Sequence, residues 1–164
     1  MNKEDLTLTL TMIMEPQHAN VYGNVHGGEI MRLMDTTGGC TAIKYTKMPC
    51  VAARVDEFQF LKPIHIGSLV TSKGTVVYTG NTSIEIRVTV DVENLRESNS
   101  AYRAIEAFFT YVALDADGKP TPVPPYTPET KREKELSESV KQRREFGLKR
   151  RAEAKARKEK QNNQ

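Results

Sequence analysis

The sequence predicts an α+β fold, an antiparallel sheet wrapped around one long helix and followed by a charged helical extension. Three observations predict it. Apolar residues alternate with polar ones in several short segments, the period of a strand with one buried face. One segment, lying between the first strand signal and the rest, has helical spacing instead. The charge divides along the chain: residues 129–160 carry 13 Lys/Arg and 7 Asp/Glu, so the net +3 is a body of −3 and a tail of +6. The 164 residues suit one body with one core. The 38% hydrophobic content is low for a globular chain, and the dilution lies in the tail.

The elements follow in order. Leu6, Leu8, Leu10 and Met12 alternate with Thr7, Thr9 and Thr11, giving a strand within 6–14. Over 27–45, Ile30, Leu33, Met34, Thr37 and Thr41 have helical spacing. Gly38 and Gly39 weaken that helix by about 1 kcal/mol each relative to alanine, unless another backbone must approach there. Residues 51–60 and 68–79 read as strands. Next, Ile84, Ile86, Val88, Val90 and Val92 oppose Glu85, Arg87, Thr89 and Asp91, one face dry and one wet. Gly80 and Asn81 join these last two as a hairpin. Residues 101–114 are the fifth strand, ended by turn residues Asp115 to Gly118. The body is thus 1–119; residues 120–128, with five prolines, form an extended linker; 129–164 are a basic helical tail. Leu136, Val140, Phe146 and Leu148 are too sparse to give that tail a core.

Several classes are excluded. No window of about 18 apolar residues is present, so no transmembrane helix is expected. The opening residues lack a signal-peptide apolar core. Cys40 and Cys50 make neither a disulfide framework nor a zinc site, which fits a cytoplasmic protein with reduced thiols. The tail interleaves seven acids with its 13 bases, so a solvated helix is favoured over a nucleic-acid binder.

The densest cluster of chemistry-bearing residues is HANVYGNVHGGEIMRLMD, 18–35. Gly27 and Gly28 put bare N–H groups at the positive end of the helix, an arrangement that holds oxyanions. Asn24 is a candidate helix cap. Asp35, two turns in, is either a catalytic carboxylate or a helix acid satisfied by a neighbouring hydroxyl. Asn20 either takes part in chemistry or shapes a turn. His18 and His65 read as structural, His26 as a helix-start residue, and Cys40 as packing. Ser83 has no nucleophile elbow around it, which excludes a serine hydrolase of that kind.

This segment resembles the loop and central helix of hotdog-fold acyl-CoA thioesterases, in the cytosolic acyl-CoA hydrolase and YciA-like group. Two further blocks are similar to that family in the same order, VDEFQFLKPIHIGSLV (55–70) and YTGNTSIEIRVTVDVE (78–93), so the resemblance covers about 6–115. It implies a homodimer with sheets joined edge to edge, often a hexamer built as a trimer of dimers, with active sites at the dimer interface. It implies that Asn20 and Asp35, from different subunits, are the catalytic pair, and that Gly28 N–H, with Gly27, polarises the thioester carbonyl. Asp35 would serve as general base or nucleophile. Negative charge builds on the carbonyl oxygen, so preorganised donors are what this reaction needs. The implied substrate is acyl-CoA; no cofactor and no metal is called for.

CoA carries phosphates, and basic residues should meet them. The candidates are Arg54, Lys62, Arg87 and Arg103, with Gly80, Asn81, Thr82 and Ser83 in the hairpin. Acyl-pocket depth should depend on Leu33, Met34, Phe58 and Phe60. The alternative is a non-catalytic CoA-binding regulatory module on the same fold. A dehydratase ranks lower, because no histidine lies on the helix.

Overall fold

A computed structural model describes residues 3–56 and 58–162, with side chains over 5–56 and 58–147. The residues fall into two compact units, Met1–Tyr126 and Thr127–Gln164.

The first unit is a five-stranded antiparallel sheet with a helix across it. Its elements are β1 (Thr7–Ile13), α1 (Gly27–Thr46), β2 (Cys50–Val55), β3 (Leu69–Thr79), β4 (Ser83–Glu93) and β5 (Tyr102–Ala113). The strand order is β1-β3-β4-β5-β2, and α1 contacts all five strands. This is the architecture that the alternation and the single helical segment predict. Each of the buried residues Ile30, Leu33 and Met34 contributes roughly 1.5–3 kcal/mol on the inner side of α1. Ile84, Ile86, Val88, Val90 and Val92 meet them from β4.

Four details differ from expectation. β2 ends at Val55 rather than running to residue 60, and Phe58 and Phe60 leave the sheet in a tilted ring contact, centroids 5.3 Å apart. The outer face of β4 is partly dry: Glu85 is 1% exposed, accepting from Thr110 Oγ1 at 2.8 Å. Backbone does approach α1 closely, but from the sheet. A Cβ on Gly74 of β3 would fall on Thr41 Oγ1 and within 3.2 Å of the Thr37 carbonyl. At Gly38 the close neighbour is a side chain, the Tyr111 hydroxyl, 2.6 Å from where a Cβ would stand.

The proline-rich segment is extended but docked as far as Tyr126. Val123 N–H donates to Asn81 O, Tyr126 N–H to Thr79 Oγ1, and Tyr45 hydroxyl to Pro124 O. Burial pushes the Tyr45 hydroxyl up to about 12, so it stays a donor.

The second unit is one helix, α2 (Lys131–Asn162). It starts with a capping box: Glu133 N–H donates to Thr130 Oγ1, and Thr130 N–H donates to Glu133 Oε2. The side chain of Leu148 lies outside the described residues.

Candidate active site

The segment before α1 is a hydrogen-bonded loop. Asn20 N–H donates to Asn24 O, and Gly23, with φ at 80°, donates to Asn20 O. Asn20 Oδ1 accepts from Tyr22 N–H at 2.9 Å and Asn24 N–H at 3.2 Å. The turn-shaping reading of Asn20 therefore holds for its oxygen. Its Nδ2 group makes no hydrogen bond among the described residues, so two donors are unspent. The loop tip presents Val21 and Tyr22 at 93% and 87% exposure.

The helix cap is His26, not Asn24, which instead bridges to His65. His26 Nδ1 accepts from Gly28 N–H at 2.9 Å. The amide expected to face a thioester is thus committed to the cap. Gly27 N–H, one residue earlier, has no hydrogen-bond partner among the described residues. Phe60 packs over Gly27, where a Cβ would stand 3.1 Å from the ring. Asn20, Gly27, Phe60 and Lys62 line a cavity of about 360 Å³. It offers amide and ammonium donors at the positive end of α1, with no carboxylate in its lining. Lys62 Nζ lies 5.1 Å from the centre of the Tyr102 ring, a cation–π distance.

Asp35 lies in a different cavity, of about 370 Å³, lined by Met31, Arg32, Ala52, Val55, Phe58 and Phe109. Its walls are mostly carbon, and Arg32 is engaged by Glu29 at 2.8 Å. The Asp35 side chain is exposed in the single chain, because α1 turns this residue away from the sheet core. Sequence reasoning missed Tyr111 of β5. Its hydroxyl lies 2.8 Å from Asp35 O and 3.0 Å from Asp35 Oδ1. The signal was present in Gly38, a helix glycine that makes room for this hydroxyl.

The remaining candidates do not join either cavity, apart from Phe58 and Phe60, one in each. Leu33 and Met34 are core residues. Arg54 pairs with Asp56 at 3.1 Å and lies 4.0 Å from Glu85. Arg87 pairs with Glu106 at 2.6 Å, and Arg103 with Asp91. These arginines are held by neighbouring carboxylates on the outer sheet face. Among the basic candidates, Lys62 alone lines one of the two cavities. In the hairpin, Gly80 N–H donates to Ser83 O, Thr82 O accepts from Ala113 N–H, and Ser83 is buried. Cys40 is exposed rather than packed. Among the described residues no group of three or more His, Cys, Asp or Glu could hold a metal. No described helix is long and apolar enough to cross a membrane.

Known proteins share this fold. The thioesterase superfamily model matches residues 22–98. The acyl-CoA thioester hydrolase YciA of Salmonella typhimurium is 36% identical over 119 residues, 71% of this chain and 90% of that protein. The cytosolic acyl coenzyme A thioester hydrolase of Rattus norvegicus is 41% identical over 136 residues, 82% of this chain but 36% of that protein. The chain therefore spans about a third of the length of its mammalian relatives. An apo-hexameric acyl-CoA thioesterase superposes with a TM-score of 0.86 at 33% identity, covering 93% of this chain and 97% of that one. An acyl-CoA hydrolase of Staphylococcus aureus, solved with butyryl coenzyme A and coenzyme A, gives a TM-score of 0.83 at 31% identity, covering 93% of each chain. Alanine variants of that enzyme replace an asparagine and an aspartate with the same spacing in sequence as Asn20 and Asp35. The chain belongs to the thioesterase superfamily, in its group of acyl-CoA thioester hydrolases, and has their hotdog fold.

Proposed function

We propose that the protein hydrolyses acyl-CoA to a fatty acid and CoA, at a site completed by a second copy of the chain. The observation that carries this reading is the division of labour between two cavities. One gathers donors from Asn20, Gly27 and Lys62; the other holds the Asp35 carboxylate in apolar walls. Neither half alone has both an acid-base group and an oxyanion site. Packed against a partner's, they supply both.

In this reading Asp35 takes a proton from water, and the hydroxide adds to the thioester carbonyl carbon. The oxyanion that forms is held by Gly27 N–H and an Asn20 amide hydrogen. Collapse breaks the C–S bond and expels CoA thiolate, which needs little acid assistance. Direct attack by Asp35 to give an anhydride, then hydrolysed, uses the same carboxylate and donors. Gly27 thus replaces Gly28 as the polarising amide, because the His26 cap takes the latter. Lys62, beside the donors, is positioned to meet a CoA phosphate.

The second copy is supported by the exposed β2 edge with Val51 and Val55, and by exposed Met31 and Ile43 on α1. Two sheets joining at β2 would cover these residues. The hexameric relatives support three such dimers in one particle. The domain division proposed is a thioesterase body up to the proline-rich segment and an appended charged helix. The name of the mammalian relatives supports work in the cytoplasm.

The test is hydrolysis of an acyl-CoA series from short to long chains, followed by release of free thiol. Turnover of at least one chain length is expected. Binding of CoA with no turnover on any of them contradicts the proposal and favours a regulatory module.

A further inference from the structure

Tyr111 belongs to no motif of the sequence and lines neither cavity, yet it reaches the reacting carboxylate from behind. The residue is 2% exposed on β5, its ring stacked on Phe109 at 6.1 Å and its neighbours on β4 and β2 fixed by the sheet register. Its hydroxyl crosses to α1 and lies 3.0 Å from Asp35 Oδ1 and 2.8 Å from Asp35 O. The crossing is possible only because residue 38 is glycine: a Cβ there would stand 2.6 Å from the hydroxyl and 2.9 Å from the ring. The helix thus carries a poor helix former on the inner side, where alanine would be about 1 kcal/mol better for the helix itself.

We propose that Tyr111 is a positioning residue that selects and orients the reacting oxygen of Asp35. The proposal rests on the reading of Asp35 as the reacting carboxylate. Tyr111 donates to Oδ1, and Oδ2 has no hydrogen-bond partner among the described residues. Oδ2 is then the oxygen left to meet water or the thioester carbon. The shared hydrogen also fixes the side-chain torsion of an otherwise exposed aspartate. Burial and the adjacent Asp35 charge push the Tyr111 phenol well above its ordinary value, so it remains O–H and a donor.

The test compares the wild type with Tyr111→Phe, which keeps the ring and removes the hydroxyl. Without the donor the carboxylate is free to turn, so the effect is expected in kcat rather than in KM. At neutral pH kcat falls by about tenfold or more while KM changes little, since a misplaced reacting group costs up to about 10² in rate. Gly38→Ala displaces the hydroxyl without removing it and lowers kcat as well. A kcat within about twofold of wild type in Tyr111→Phe, or a loss carried by KM instead, overturns the positioning role. Asp35→Ala, measured alongside, separates the two readings: full activity there overturns the role of Asp35 and that of Tyr111 together, whereas an inactive Asp35→Ala with an unchanged kcat in Tyr111→Phe overturns only the latter.

Discussion

Asp35→Ala loses about 10³ or more in kcat on acyl-CoA, the scale of a removed acid-base group, while its thermal unfolding stays close to wild type. The two halves of this expectation come from different facts. The carboxylate is the titratable acid of the apolar cavity between α1 and β2, so no neighbouring carboxylate can substitute for it. The side chain is exposed in the protomer, so its removal leaves no core void. Nor does it orphan the Tyr111 hydroxyl, which still has the main-chain oxygen of residue 35 as an acceptor at 2.8 Å. Thiol release and a melting curve on the same preparation separate lost chemistry from lost fold.

Gly74→Ala has the opposite signature, a loss of stability at a position that lines neither the donor cavity nor the carboxylate cavity. Here β3 passes directly under α1. The new methyl would fall on Thr41 Oγ1, whose hydroxyl already donates to Thr37 O at 2.6 Å. Backbone lies on both sides, so neither partner yields cheaply. Overpacking of this kind costs about 2–3 kcal/mol, which lowers the melting temperature by about 5–10 °C. A melting temperature within a degree of wild type would show that helix and strand can part at this point without cost.

These two cases show which parts of the molecule were legible in the sequence. Strand alternation at Ile84 to Val92 and helical spacing at Ile30 to Thr41 are local patterns, and each placed its element. The end of β2 was not legible, because Phe58 and Phe60 continue an apolar pattern but leave the sheet to pack near α1. Residues of the site that lie within one segment were found as candidates: Asn20, Gly27 and Asp35 all fall within 18–35. Tyr111 was missed because its contact with Asp35 spans 76 residues, and one tyrosine in an apolar strand carries no local mark. The choice between Gly27 and Gly28 turned on a single side-chain acceptor, His26 Nδ1, whose direction no spacing rule supplies. The arginines of the outer sheet face are candidates for CoA phosphates by sequence, whereas their carboxylate partners stand on a neighbouring strand or, for Arg54, two residues further along the chain.

The central claim is that Asn20 and Asp35 act together across two copies of the chain. It is tested by unfolding Asn20→Ala and Asp35→Ala together, refolding the equal mixture and measuring acyl-CoA hydrolysis. Each variant alone is nearly inactive. In a hybrid dimer one of the two sites receives an intact Asn20 from one subunit and an intact Asp35 from the other. Random reassortment makes half the dimers hybrid, so the mixture recovers about a quarter of the wild-type rate. With one variant carrying an added affinity tag, so that hybrid dimers are demonstrated by mass, a mixture that remains at the sum of the two variants contradicts the account.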